Sequence, residues 1–131
     1  LLAVVLAILV VAAVAGALHV FFFVLETILF AKPKYQRRFG VTDPTEGGAV
    51  TARLFAFNQG FYNLFLALGC FGGLLAPHLG YAVEGATLVL YTCAFMVGAA
   101  LVLVASAPHL ARAALIQGAP PLAVIILSLL A

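Results

Sequence analysis

Residues 1–31 read LLAVVLAILVVAAVAGALHVFFFVLETILFA, and this stretch decides the class of protein. A helix of about 20 predominantly apolar residues is long enough to cross a bilayer. His19 and Glu26 are the only ionisable side chains in the run. Ionisable groups at membrane depth are costly, and they mark functional sites by default. The stretch therefore predicts a membrane-spanning helix that carries a candidate site.

The rest of the chain has the same character. Its 131 residues are 66% hydrophobic and 8% charged, with a mean hydropathy of +1.28. A soluble domain of this size cannot bury so much apolar surface in one core. We therefore predict an all-α, four-helix transmembrane bundle forming one four-span domain. The predicted spans are residues 3–30, 50–76, 82–105 and 110–131, with a loop at 32–49.

The first run has an alternative interpretation as a secretory signal peptide. Ala15, Gly16 and Ala17 are small residues of the kind that precede a cleavage site. However, the apolar run continues well beyond them, and residues 1–14 include no basic residue. We therefore favour a membrane span for this segment.

The basic residues predict the orientation in the membrane. Five of them flank the first connection and one flanks the third: Lys32, Lys34, Arg37, Arg38, Arg53 and Arg112. Because lysine and arginine are enriched in cytoplasmic loops, we predict a cytoplasmic 32–49 loop and extracytoplasmic termini. Contact with lipid headgroups accounts for the net charge of +2, so no nucleic-acid partner is expected.

The 32–49 loop contains several residues that interrupt regular structure. Pro33, Gly40 and Pro44 are among them. The sequence Asp43-Pro44-Thr45-Glu46 predicts a turn or a cap before the second helix. The other connections are too short to carry a site of their own.

Polar side chains recur at similar depths in three of the four helices. Glu26, Gln59 and Gln117 each lie five or six residues inward from a basic residue, which is about 8–9 Å along a helix. His19 and Asn63 lie deeper, at about 20 and 15 Å. We therefore expect helices one, two and four to converge on a polar cluster, and helix three to serve packing.

The second helix concentrates the amides. Gln59 and Asn63 share one face, Asn58 and Tyr62 share the next, and Gly60 allows close backbone approach. In the fourth helix, two prolines lack the N–H groups that would donate to backbone carbonyls beside Gln117. The candidate ligand-binding residues are His19, Glu26, Asn58, Gln59, Tyr62, Asn63 and Gln117. No metal or cofactor is expected.

Each of these features also has a purely structural interpretation. Intramembrane amides often tie helices together, at about 0.6 kcal/mol each. His19 is interpreted alternatively as a packing residue, and Glu26 as the partner of Arg53 in a salt bridge. Cys70 and Cys93 lie within apolar runs at a spacing that matches no metal or redox motif, which is typical of small buried hydrophobes.

Several stretches resemble a known family in order along the chain. They are HVFFFVLE at 19–26, Phe39-Gly40, NQGFYNLFLA at 58–67 and QGAPP at 117–121. These residues resemble the bacterial membrane family called domain of unknown function 1304, and the resemblance covers nearly the whole chain. It implies a small four-helix integral protein of a bacterial inner membrane, supports the choice of site residues, and implies no reaction.

Three classes of function fit these observations. The first, which we favour, is an intramembrane polar pocket that binds or transports a small lipophilic or ionic compound. The second is an accessory or structural subunit, in a homo-oligomer or a larger membrane complex. The third is an intramembrane isomerase-like enzyme, in which His19 or Glu26 would move protons. A non-enzymatic role is the expectation.

Overall fold

The computed structural model describes residues 1–41 and 46–131, and these residues are helical with no strand. Five α-helices follow one another: α1 (Leu2–Phe23), α2 (Pro33–Arg38), α3 (Glu46–Leu75), α4 (Ala82–Ser106) and α5 (Ala111–Leu130). A π turn (Val24–Ile28) and a 3₁₀ turn (Leu29–Ala31) continue α1, and further 3₁₀ turns lie at Ala76–Leu79 and Pro108–Leu110.

Four of these helical segments are long and apolar enough to cross a membrane. They are Leu2–Ala31, Gly47–Leu79, Ala82–Ser106 and Pro108–Leu130. The predicted all-α, four-helix membrane fold is therefore confirmed. Large apolar side chains remain exposed along the helices, as expected for surfaces that face lipid tails rather than water.

The described chain forms two compact units, and the single four-span domain stays a prediction. One unit comprises Leu1–Leu18 and Leu66–Ala131, and the other comprises His19–Phe65. The first unit has a core of small and medium side chains from all four of its helical segments. That core consists of Ala12, Ala15, Cys70, Val89, Cys93, Met96 and Val124.

Helices α3 and α4 meet at glycines within the first unit. A Cβ atom built on Gly73 would lie 2.8 Å from the carbonyl oxygen of Gly85, and one on Gly85 would lie 2.6 Å from that of Gly73. One turn earlier in α3, a Cβ on Gly69 would lie 2.8 Å from Thr92 Cγ2. The small-residue stripe of α3 is therefore covered by this chain's own α4.

The predicted loop at 32–49 contains a helix, which is a difference from the sequence interpretation. Pro33 is the first residue of α2, where its missing N–H costs nothing. Gly40, with φ of 84°, ends α2, and Val41 N–H donates back to the Gln36 carbonyl in a Schellman motif. Proline and glycine here delimit a helix instead of excluding one.

The second helix begins at Glu46, earlier than the predicted start of the second span. The turn or cap predicted for Asp43-Pro44-Thr45 lies outside the described residues.

Candidate intramembrane binding site

A π turn interrupts the first membrane span at the candidate acid. It runs from Val24 to Ile28, with Glu26 at its centre. π turns are rare, occur mostly as single turns inside α-helices, and are frequent at functional sites. A spacing of seven residues would place His19 and Glu26 on one face of an uninterrupted α-helix, and the π turn changes the helical register in that interval.

Glu26 is hydrogen-bonded to an amide of α3. The Asn63 Nδ2 group donates to Glu26 Oε2 at 2.7 Å. Asn63 is buried and Glu26 is half-buried. Among the described side chains, no ion pair joins Glu26 to Arg53, so the salt-bridge interpretation is wrong for this structure. A carboxyl group and an amide form the centre of the site.

Gly60 brings α3 against the π turn. A Cβ atom at Gly60 would overlap Thr27 Oγ1 and would lie 3.1 Å from the Thr27 backbone nitrogen and 3.2 Å from the Phe23 carbonyl oxygen. Thr27 Oγ1 also donates to the Phe57 carbonyl oxygen at 3.3 Å. The predicted close approach at Gly60 is confirmed, and it sets the Glu26 carboxyl beside Asn63.

The two sides of this helix contact differ in character. Phe57, Phe61 and Phe65 are spaced four residues apart on α3, with ring centroids 5.2 and 6.2 Å apart, and Phe23 meets Phe61 at 5.3 Å. Asn63 lies two residues after Phe61, so the two side chains leave the helix in different directions. Aromatic rings line one side of the contact, and the acid–amide pair lines the other.

The remaining candidates on α3 are exposed. Asn58 donates its Nδ2 hydrogen to the Leu54 carbonyl of its own helix at 2.8 Å. Tyr62 is 61% exposed, and Gln59 is also exposed. Gln59 lies one turn before Asn63, on the same face of α3. It is the candidate of these three that extends the polar surface of the pair.

The two other candidates lie apart from this pair along the chain. His19 is fully buried and packs edge-on against Phe22, with ring centroids 5.7 Å apart. Gln117 is half-buried in α5, which belongs to the other compact unit. Both prolines that follow Gln117 lie inside α5, and Pro121 is buried.

The depth argument misassigned the partner of Glu26. Counting from basic residues placed Asn63 in a deeper tier, whereas Asn63 is the residue that bonds Glu26. The count treated Arg53 as the membrane boundary of the second span. Because α3 begins at Glu46, Arg53 lies inside the helix, and it is a poor depth marker.

Sequence reasoning also missed Thr27 and the π turn. Thr27 adjoins Glu26, and its hydroxyl contacts Phe57 and Gly60 of α3. A polar residue directly after an intramembrane acid was a signal that could have identified it. The π turn has no local signature of this kind in the sequence, and it lies where the first span packs against Gly60. Among the described residues, no group of three or more His, Cys, Asp or Glu side chains is arranged to hold a metal ion.

A family model covers most of the chain. The family described as "Protein of unknown function (DUF1304)" matches residues 13–129. The chain belongs to this family. The resemblance noted from the sequence is therefore confirmed. No curated protein and no solved structure matches the chain. The family description names no activity, so the chemistry of the site has to be argued from its geometry.

Proposed function

We propose that this membrane protein binds a small lipophilic compound at the Glu26–Asn63 pair, through a positive charge or a hydrogen-bond donor on that compound. The observation that carries the proposal is the 2.7 Å hydrogen bond between the Asn63 amide and the Glu26 carboxyl. It fixes an acid inside a membrane-spanning segment, where such groups mark ligand, ion or proton pathways.

The acid retains binding capacity after bonding Asn63. An ionised carboxylate has two oxygens with about four acceptor sites. Among the described residues, Asn63 supplies the hydrogen bond to the Glu26 side chain, through Oε2. With Glu26 ionised, its Oε1 atom and the side-chain Oδ1 atom of Asn63 are both acceptors, so the pair favours a ligand that donates a hydrogen bond. An amine fits best, because a positive charge also compensates the acid in a medium where isolated charge is costly.

The surroundings favour a lipophilic ligand. Apart from Thr27, the five residues on each side of Glu26 are apolar, and exposed phenylalanines lie along α3 next to the contact. A ligand with an apolar body would replace lipid there without loss of hydration. Gln59, exposed on the Asn63 face, would offer a further polar contact.

The proposal is tested with three probes that share one tail. The full chain, purified in a neutral detergent, is titrated with dodecylamine, dodecanol and dodecanoate, and the shift in thermal unfolding temperature gives relative affinity. We expect dodecylamine to bind at least about ten-fold more tightly than dodecanoate, as a charged hydrogen bond contributes roughly 1.5–3 kcal/mol. Glu26→Gln should abolish that preference.

Glu84→Gln is the matched control. Glu84 is an exposed acid in the first turn of α4, so its loss removes the same charge from elsewhere in the chain. If both variants lose the amine preference equally, or if the wild type has none, the proposed site is wrong.

The accessory-subunit role remains the alternative, and the enzyme-like role is ranked below it. The Gly69–Gly73 stripe of α3 is already covered by α4, whereas Ala94 and Gly98 of α4 are exposed and a Cβ at Gly98 would meet nothing within 4 Å. That open stripe favours a helix partner. A wild-type phenotype and stability in Glu26→Gln would rank this alternative first.

In either role we propose an inner-membrane location with extracytoplasmic termini, on the distribution of Lys and Arg.

A further inference from the structure

Helix α2 is a fixed element at the end of the first span. A helix of six residues is too short to be stable alone. The buried Gln36 Nε2 group donates to the Phe30 carbonyl oxygen at 3.0 Å, which ties α2 to the turn that precedes it. The Phe30 and Phe39 rings meet edge-on with centroids 5.6 Å apart. These contacts give α2 a defined orientation.

One face of α2 is basic. Lys34, Arg37 and Arg38 lie three and four residues apart, which places them on the same side of the helix, and all three are exposed. We call these residues the basic face. Among the side chains that the structure describes, no ion pair neutralises it. The Lys34 ammonium lies 5.9 Å from the centroid of the Tyr35 ring.

Orientation in the membrane does not explain this arrangement. The positive-inside rule requires lysine and arginine in the connection, at any position near the span ends. It does not require three on one face of a helix, where like charges repel one another. The negative, C-terminal end of the helix dipole favours Arg37 and Arg38. It does not explain Lys34, which lies near the N-terminus of α2. An anion bound to the face would account for all three.

We propose that the basic face binds the phosphate of an anionic phospholipid. The first span ends at Ala31, directly before α2, so the face lies at the level of lipid headgroups. Arginine binds phosphate with a bidentate fork, and lysine adds a point charge. A lipid phosphate is the anion held at that level at high local concentration, and a basic cluster beside a span is a recognised lipid contact.

The test measures lipid selectivity for the full chain in equimolar phosphatidylcholine and phosphatidylglycerol vesicles. Spin-labelled phosphatidylglycerol and spin-labelled phosphatidylcholine are compared by their motionally restricted fractions. The wild type should prefer phosphatidylglycerol, and R37Q/R38Q should lower the preference by at least about five-fold. R37K/R38K, which keeps the charge and removes the fork, should retain part of it.

R53Q/R112Q is the matched control, since it also removes two exposed arginines but leaves the basic face intact. It should retain most of the wild-type preference. Equal losses in the two double variants, or no loss in R37Q/R38Q, would overturn the proposal. If R37Q/R38Q does not fold, Lys34→Gln decides in its place, and an unchanged preference counts against the site. Displacement of the labelled lipid by inorganic phosphate would show a soluble anion as the occupant, and would also overturn it.

Discussion

Asn63 donates a 2.7 Å hydrogen bond to Glu26, which lies 37 residues earlier in the chain. The bond links the π turn of the first span to the middle of α3. It gives a membrane-embedded acid a defined partner, and it leads to predictions about stability that need no knowledge of the ligand.

Removing either partner should destabilise the protein, and the two effects should be coupled. Glu26→Ala and Asn63→Ala should each cost about 1–3 kcal/mol, since the first leaves the buried Asn63 amide and the second the half-buried Glu26 carboxyl without its partner. The double variant should cost less than the sum, by about 0.5–3 kcal/mol. Unfolding in detergent measures all three. Strict additivity would mean that the bond does not contribute to stability.

Glu26→Gln should fold nearly as well as the wild type, because its amide carbonyl can still accept the Asn63 hydrogen. Arg53→Gln should also leave stability within about 0.5 kcal/mol, as expected for an exposed side chain away from the site. The same unfolding assay checks both variants. A large cost for both would restore the salt-bridge interpretation.

Gly60→Ala should be strongly destabilising. The new methyl group would overlap Thr27 Oγ1 and press on the π-turn backbone, and overpacking of this kind costs about 1–3 kcal/mol. Gly98→Ala is the control, because nothing lies within 4 Å of a Cβ there. Comparison of their thermal unfolding temperatures decides the matter. Equal stability of the two variants would contradict the contact at Gly60.

Neighbouring glycines of α3 should respond differently to alanine. At Gly73 a Cβ atom would lie 2.7 Å from Val89 Cγ2 and 2.8 Å from the Gly85 carbonyl, so Gly73→Ala should cost about 1–3 kcal/mol. At Gly72 the nearest atom would be 3.9 Å away, and alanine is the better helix former. Gly72→Ala should therefore be neutral or stabilising. The reverse order in an unfolding assay would be incompatible with the α3–α4 contact.

The predicted topology is tested by labelling single cysteines placed at Thr45 and Gly80 in intact cells. The positive-inside rule predicts that Gly80→Cys reacts with an impermeant maleimide and Thr45→Cys does not. The native Cys70 and Cys93 are fully buried, so the unaltered chain gives a low background. Labelling of Thr45→Cys from outside would show that the orientation is opposite to the one predicted.

The sequence predicts the helices better than it predicts their partners. Continuous apolar runs identify the spans, because a bilayer requires a fixed length of apolar helix. Glu26 and Asn63 stand out in the sequence because polar groups inside a membrane span are energetically costly. Their pairing was not predictable from depth, because the count depended on Arg53 marking the end of a helix that begins earlier.

Two features of the structure depend on tertiary contacts, which sequence patterns do not show. Helix α2 is stabilised by the Gln36–Phe30 hydrogen bond more than by its own propensity, although Pro33 and Gly40 delimit it. The π turn at Glu26 lies where the first span packs closely against Gly60 of α3. Side-chain periodicity describes a regular helix, and it cannot report where regularity ends.

A π turn holds one residue more than a regular helical turn, and this has a consequence for how such a chain can change over generations. Deletion of a single codon between Val24 and Ile28 would remove the residue that the π turn adds. The first span would still be long enough to cross the bilayer, since it runs from Leu2 to Ala31. A lineage could thus lose or regain the Glu26 geometry by one in-frame event while the membrane architecture persists.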